Sequence, residues 1–194
     1  MKQNWSGRLA SAVLMALSLS GCAGLVIGGA ATGVSVAHDR RTAGTVLDDQ
    51  NVEVKAFSLL TARLPAGNHI NVNSYNGAVL LTGEVISELV RQQAEDIVRG
   101  IEPVRVVYNE LVVGPPSTLS SQSSDTFLTT KIKTSLFQIH DIPDFDPTRV
   151  KVVTERRVVY LLGLVRPEEA DAAADIASTV SGVRQVVTLF EYIN

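Results

Sequence analysis

The sequence contains few of the residues from which most catalytic and metal sites are built. Its 194 residues include one cysteine and three histidines, and aromatic residues make up only 5%. A single cysteine excludes an intramolecular disulfide bond. No two histidines have the spacing of a metal site, and no serine lies in a nucleophile-elbow motif. We therefore predict no catalytic residues, no metal ligands, no cofactor and no enzymatic activity.

The chain also lacks a long basic run. It has 17 lysines and arginines against 20 acidic residues, which gives a formal net charge of −3 at pH 7. Binding to nucleic acid requires clustered cations that neutralise phosphates, so nucleic acid is not an expected partner. Hydrophobic residues make up 45% of the chain, which indicates a folded protein with cores of valine, leucine, isoleucine and alanine.

The N-terminus carries the pattern of a secretory signal. Two basic residues precede a short apolar run, which is followed by Leu19-Ser20-Gly21-Cys22. A charged start, an apolar segment and small residues before a cut are typical of a signal peptide, and the last four residues match the bacterial lipobox. In lipobox signals the cysteine receives diacylglycerol and becomes the new N-terminus. We predict a signal peptide at 1–21, lipidation at Cys22 and a lipidated tether at 22–44.

The absence of charge from Leu9 to Ala37 allows a second interpretation. A run of that length could span a bilayer as an uncleaved helix. Residues 21–37 are rich in glycine, alanine, serine and threonine, so we favour the cleaved lipoprotein. The residue after the cysteine is Ala23 rather than aspartate, which by resemblance to lipoprotein sorting in Gram-negative cells favours the outer membrane.

The rest of the chain contains one unit written twice. Residues 71–85 align with 151–165, and further upstream Asp49 aligns with Asp125 and Lys55 with Lys131. Each unit has the pattern helix, strand, strand, helix, strand. We predict a first domain at 45–113 and a second domain at 125–194. The linker between them is residues 114–124, which are rich in proline and serine.

Local signals predict details of the first unit. Asn76-Gly77 predicts a tight hairpin turn, because both residues tolerate positive φ. Asp48 and Asp49 are interpreted as acids near a helix start that suit the helix dipole. Gly83, like its counterpart Gly163, is interpreted as a bend or a close backbone approach at a strand end.

The second unit differs at two places. Arg156-Arg157 replaces the Asn-Gly turn, which predicts a basic and less tightly defined hairpin tip. Asp125 or Thr126 is predicted to cap the first helix of this unit, which runs to about Phe137.

Two such units resemble BON domains (bacterial OsmY and nodulation). The residues that carry the resemblance include the return strands Val79-Leu-Leu-Thr-Gly83 and Tyr160-Leu-Leu-Gly163. A lipobox followed by two BON domains is similar to one family, the division- and outer-membrane-stress-associated lipoproteins (DolP). Segments that fit this family include Thr45–Asp49 and Val107–Glu110. The resemblance implies an α+β fold of two tandem BON domains, each αββαβ with a small mixed sheet and two helices on one face.

The resemblance also implies a function. Members of the family lie on the periplasmic face of the outer membrane, support envelope integrity and are enriched at the division site. Their second BON domain binds anionic phospholipid, such as phosphatidylglycerol and cardiolipin, through its first helix. The corresponding residues here are Phe127, Leu128, Thr130, Lys131 and Lys133. Phe127 stands where the family has a tryptophan.

The residues themselves leave two interpretations of this helix open. Phe127 beside Lys131 and Lys133 combines apolar and cationic groups that an anionic bilayer attracts. Alternatively, Phe127 or Leu128 packs into the core and the lysines form a solvated face. A second functional hypothesis is a periplasmic adaptor that binds a protein partner of envelope assembly or peptidoglycan remodelling, with the Cys22 lipid as its only membrane contact. An exposed apolar sheet face would favour the adaptor.

Overall fold

The computed structural model describes residues 39–194, so the predicted signal peptide, Cys22 and most of the predicted tether lie outside the described residues. The elements of the first unit are α1 Ala43–Arg63, β1 His69–Tyr75, β2 Ala78–Val85, α2 Glu88–Arg99 and β3 Val106–Val113. Those of the second unit are α3 Leu119–Leu136, a 3-10 turn Pro147–Arg149, β4 Val150–Glu155, β5 Val158–Val165, α4 Pro167–Thr179 and β6 Gln185–Tyr192. The order confirms two αββαβ units. Within residues 39–194 no helix combines the length and the apolar character needed to cross a bilayer.

Each unit forms a three-stranded mixed sheet. In the first sheet β2 is the central strand, antiparallel to β1 and parallel to β3, and the second sheet repeats this order with β5 at its centre. The topology follows from the connections, because a two-residue turn joins antiparallel neighbours whereas parallel neighbours need a helical crossover. Both sheets therefore have the same registers, with Val72 opposite Leu81 and Val152 opposite Leu161.

Two helices cover one face of each sheet, as predicted. Alternate residues of the central strand point to this face, since successive side chains of a strand lie on opposite sides. The buried core of the first unit consists of Val52, Ala56, Leu60, Val79, Leu81, Val85, Val90, Ala94, Val98, Ile101 and Leu111. The second core has the same plan, with Leu128, Ile132 and Leu136 from α3 facing Val159, Leu161 and Val165 from β5.

The other faces of the two sheets pack against each other. This interface between the domains is a third apolar cluster, made of Tyr75, Leu80, Val158, Tyr160 and Leu162. Leu80 and Leu162 are almost fully buried there, and burying a leucine side chain contributes roughly 1.5–3 kcal/mol. The described part of the chain is thus a four-layer arrangement of helices, sheet, sheet and helices.

A buried carboxylate ties α1 to the first hairpin. Asp49 accepts hydrogen bonds from the amides of Asn76 (2.7 Å) and Gly77 (2.9 Å) and from the hydroxyl of Ser74 (2.6 Å). Asn76 and Gly77 have φ of 51° and 74°, which confirms the tight turn. The interpretation of Asp49 as a helix-start acid is wrong, because α1 begins at Ala43 and Asp49 is buried on its inner side.

Asp125 makes the equivalent contacts with turn amides in the second unit. Its carboxylate accepts from the amides of Arg156 (2.8 Å) and Arg157 (2.9 Å). These two residues have φ of 52° and 65°, so the turn is of the same kind although neither residue is glycine. The prediction of a less tightly defined tip is therefore wrong, since the carboxylate fixes both amides. Asp125 is also not the N-cap of its helix.

Helix α3 begins earlier than predicted. Its N-cap is Thr118, whose hydroxyl accepts from the amide of Ser121, so the last six residues of the predicted linker are helical. Serine and threonine favour loops, but here their hydroxyls donate to carbonyls one turn back, as from Ser124 to Ser120 (2.9 Å). Within the predicted linker, the glycine and the two prolines occupy residues 114–116, and this part of the connection between the units remains irregular.

The first prediction concerns Asp49. Burial raises the pKa of this carboxyl, but hydrogen bonds from Ser74, Gly77, Asn76 and Arg41 outweigh burial, so its pKa lies below its ordinary value. Its stabilising effect is therefore present above about pH 4 and is lost as the pH falls through the lowered pKa. We expect Asp49→Asn to reduce the free energy of unfolding by about 2–4 kcal/mol at neutral pH and by less in acid.

Urea unfolding at several pH values measures this difference. The matched control is Asp48→Asn, since Asp48 is the exposed neighbour on the same helix. Equal losses in the two variants would contradict the role assigned to Asp49.

The second prediction concerns Gly83. This residue has φ of 114°, and a Cβ atom would lie 2.0 Å from the carbonyl oxygen of His69 on the paired strand. We expect Gly83→Ala to reduce the free energy of unfolding by about 3 kcal/mol or more, because the strands must separate. Gly114→Ala is the control, since a Cβ there meets nothing within 4 Å. Equal thermal melting of the two variants would overturn the close-approach interpretation.

Candidate functional site

Helix α3 exposes apolar side chains on the side opposite its core face. Leu128 and Ile132 point inward, whereas Leu119 is 81% exposed and Phe127 is 67% exposed. Eight residues separate Leu119 from Phe127, or about 12 Å along the helix axis, and their directions differ by roughly 80°. Phe137, at the end of the helix, is also exposed and has nearly the same direction as Leu119. The outer side of the helix thus carries three exposed apolar residues, set among exposed serine, threonine and lysine side chains.

The structure separates the predicted lipid-binding residues into two groups. Phe127, Thr130 and Lys133 are exposed, and Lys131 is half-buried with its ammonium donating to the carbonyl of Ser181 (3.2 Å). Leu128 instead packs in the core and is only 5% exposed. Its assignment to the lipid-binding surface is corrected, because its spacing of four residues from Ile132 places both on the inner side of the helix.

A cleft beside Phe127 joins the helix to the basic hairpin tip. It has a volume of about 570 Å³ and is lined by Ser120, Ser123, Ser124, Phe127, Leu128, Arg157, Ser181 and Gly182. Arg157 is held there because its Nε donates to the carbonyl of Gly182 (2.7 Å). The sequence showed that the tip is basic but not that it lies next to Phe127. We call Leu119, Phe127, Thr130, Lys131, Lys133, Phe137 and Arg157 together the α3 surface.

The corresponding helix of the first unit has an apolar side of its own. Leu47, Val54 and Phe57 are between 58% and 71% exposed along α1. Phe57 also borders a groove of about 280 Å³ that continues to Leu60, Leu64, Pro65 and Ile70. The cation at the position equivalent to Lys131 is Lys55, which is exposed.

Polar contacts surround the apolar interface between the sheets. Lys151 of the second unit pairs with Glu53 of α1 at 2.7 Å, and Arg105 pairs with Glu191 at 2.5 Å. Burial and the neighbouring Glu110 raise the pKa of Tyr160 to about 12, so this phenol stays protonated within the interface. These contacts fix the two domains to each other from several sides.

One polar cluster at this interface was missed by the sequence analysis. Donor atoms of His69, Glu84 and Glu155 all lie within 4.8 Å of one another. Each residue comes from a different strand, so no spacing in the sequence indicates the cluster. A cavity of about 220 Å³ borders it, lined by His69, Asn71, Gln122, Asp125, Thr126, Thr129, Thr154 and Glu155. Within the described residues, this is the group of side chains best suited to hold a metal ion.

Comparison with known proteins covers both units. The family model of the BON domain matches residues 48–115 and 124–194. The chain is 42% identical over 178 residues to the outer membrane lipoprotein DolP of Haemophilus influenzae, which is 91% of each chain. It is 37% identical over 157 residues to the 21 kDa hemolysin of Actinobacillus pleuropneumoniae, covering 80% of this chain and 79% of that protein. It is 30% identical over 159 residues to the osmotically-inducible protein Y of Escherichia coli, covering 79% and 77%.

The comparisons agree with the architecture. Both matched ranges coincide with the two αββαβ units, and the likeness to the Haemophilus protein extends over nearly the whole chain. The chain therefore belongs to the BON-domain family, as a two-domain member of the DolP group of outer-membrane lipoproteins.

Proposed function

We propose that this protein is a non-enzymatic outer-membrane lipoprotein that binds anionic phospholipid through the α3 surface. The observation that carries the proposal is the position of Phe127. This residue is 67% exposed outside the core, and Arg157 lines the same cleft. The ammonium of Lys131 donates to Ser181, which also lines that cleft. An exposed apolar surface bordered by cations is what the headgroup region of an anionic bilayer attracts, because the apolar part is buried while the charges approach phosphates.

The energies are sufficient for reversible docking. Each cation near an anionic surface contributes on the order of 1 kcal/mol, and partial burial of Phe127 and Leu119 adds about 1–2 kcal/mol for each side chain. Removal of residues 1–21 takes away Lys2 and Arg8, which leaves 15 basic and 20 acidic residues and a net charge of −5. This charge does not oppose binding, since charges further than about 8 Å from the lipid are screened at physiological salt. The predicted lipid on Cys22 keeps the domain near the membrane, so a weak contact by α3 is enough to orient it.

The proposed function of this binding is to localise the protein within the membrane. The outer membrane lipoprotein DolP of Haemophilus influenzae is similar along nearly the whole chain, which supports a location on the periplasmic face of the outer membrane. We propose that the α3 surface concentrates the protein where anionic lipid is abundant, including the division site, and that it thereby helps to maintain the envelope barrier. Phosphatidylglycerol and cardiolipin are the proposed lipids.

A second candidate function is an adaptor for an envelope protein partner. The sheet faces do not favour it, because they are buried against each other. The exposed apolar residues Leu47, Val54 and Phe57 on α1 do favour it, together with the groove beside Phe57. In this alternative α1 binds the partner, and the predicted lipid on Cys22 is the only membrane contact.

The third prediction tests lipid binding with residues 39–194, which contain both complete cores. We expect this segment to co-sediment with vesicles that contain phosphatidylglycerol and not with vesicles of phosphatidylcholine. Phe127→Ala should weaken binding roughly 5- to 30-fold through lost apolar burial. Lys131→Glu should weaken it roughly 30-fold, because it removes one attraction and adds one repulsion.

Two matched controls come from the first unit. Phe57→Ala removes an exposed phenylalanine of α1, and Lys55→Glu reverses the charge equivalent to Lys131. Both should bind vesicles like the wild type. Loss of binding in the controls alone would mean that α1, and not α3, contacts the lipid. No binding by the wild type would contradict the lipid-binding proposal and favour the adaptor function.

A further inference from the structure

Three donor side chains from three strands converge where the two domains meet. His69 is the first residue of β1 and lies directly opposite Glu84 in the register of β1 and β2. Glu155 is the last residue of β4 in the second domain, and its carboxylate accepts from the side-chain amide of Asn71 in the first domain at 2.9 Å. The sheet register and the packing of the sheets therefore both contribute to the cluster.

One carboxylate oxygen of Glu84 has no hydrogen-bond donor. Oε2 lies 3.2 Å from Nδ1 of His69 and accepts from the amide of Ser117 at 3.0 Å. Oε1 accepts no hydrogen bond, although the side chain is only 1% exposed. A guanidinium nitrogen of Arg156 is 3.7 Å from Oε1, beyond hydrogen-bond distance. A buried carboxylate oxygen without a hydrogen bond is costly, and an ion pair at this distance to a partly exposed guanidinium offsets only part of that cost.

Glu155 adds a second negative charge to the same place. Its side chain is buried, as is that of Glu84. The side chain of Arg156 is 42% exposed, so solvent screens much of its attraction for these carboxylates. The cluster thus places two buried carboxylates beside one imidazole, with a partly exposed guanidinium as a neighbouring cation.

We propose that His69, Glu84 and Glu155 bind one divalent transition-metal ion, with Zn²⁺ as the ion that fits best. Imidazole nitrogen and carboxylate oxygen are both zinc ligands, and three protein ligands leave the fourth tetrahedral position open to water. Ca²⁺ and Mg²⁺ instead require six or more oxygen ligands, which these residues do not supply. Donors bound to one zinc ion lie about 3–4 Å apart, so the present separations of up to 4.8 Å need to close by about 1 Å.

The surroundings allow the ion to enter and give it a consequence. The side chain of His69 is 28% exposed, and the cavity of about 220 Å³ that it borders gives access from solvent. Two ligands belong to the first domain and one to the second, so the bound ion joins the domains directly. A metal that binds only the assembled pair stabilises that assembly, and the stabilisation grows with the logarithm of the metal concentration above Kd.

The fourth prediction uses the full-length lipidated protein in detergent micelles, purified without a polyhistidine tag. Titration with ZnCl₂ in a calorimeter should show one ion bound per chain, whereas CaCl₂ and MgCl₂ should give no binding. The melting temperature should rise by about 5–10 °C at a Zn²⁺ concentration roughly a hundred times Kd. His69→Gln should weaken Zn²⁺ binding at least tenfold, since even an outer-shell partner of a metal ligand is worth roughly 10- to 100-fold.

Two further variants keep the test decisive if His69→Gln disturbs folding. His140→Gln alters an exposed histidine outside the cluster and should bind Zn²⁺ like the wild type. Glu155→Gln removes one of the crowded carboxylates, so the metal-free protein should melt no lower than the wild type while the gain from Zn²⁺ disappears. The proposal fails if the wild type binds no Zn²⁺, or if His69→Gln and Glu155→Gln bind it as tightly as His140→Gln does.

Discussion

The structure depends on one interaction that occurs twice, between a buried aspartate of a helix and the amides of a hairpin turn. Asp49 and Asp125 each join a helix to the hairpin turn of its sheet and so fix the position of that helix on the sheet. In the second unit the carboxylate also compensates for two arginines in left-handed backbone conformations, which are unfavourable for residues with a side chain. Because the tip is fixed, Arg157 remains beside Phe127, and the α3 surface has a defined shape.

The order of the elements could be predicted from the sequence because it rests on local signals. Apolar periodicity and turn residues repeat at constant spacing, and the Asn76-Gly77 turn has the expected geometry. The role of the aspartates could not be recognised, although their alignment in the repeat was visible, because their partners are backbone amides in another element. The start of α3 was misjudged for a related reason. Serine-rich segments favour loops unless the hydroxyls bond within the helix, as Ser124 does.

At the candidate sites, too, contacts between distant elements could not be predicted from the sequence. Phe127 and Leu128 are neighbours in sequence, yet one is exposed and the other is buried, and only the phase of the helix against the sheet decides between them. The spacing of Leu128 to Ile132 and Leu136 contains this phase and could have assigned Leu128 to the core. By contrast, no pattern in the sequence brings His69 and Glu84 together with Glu155, since their approach requires the packing of one sheet on the other.

The packing of the two sheets makes the chain comparable to a dimer whose subunits are joined by a short connection. Each sheet face needs the other as its cover, because Leu80 and Leu162 would otherwise face water. The connection holds the halves at a high effective concentration, so their association does not depend on how much protein the cell contains. Cleavage between the units would turn this internal contact into a bimolecular one, and at low abundance the separated halves would expose surfaces prone to aggregation.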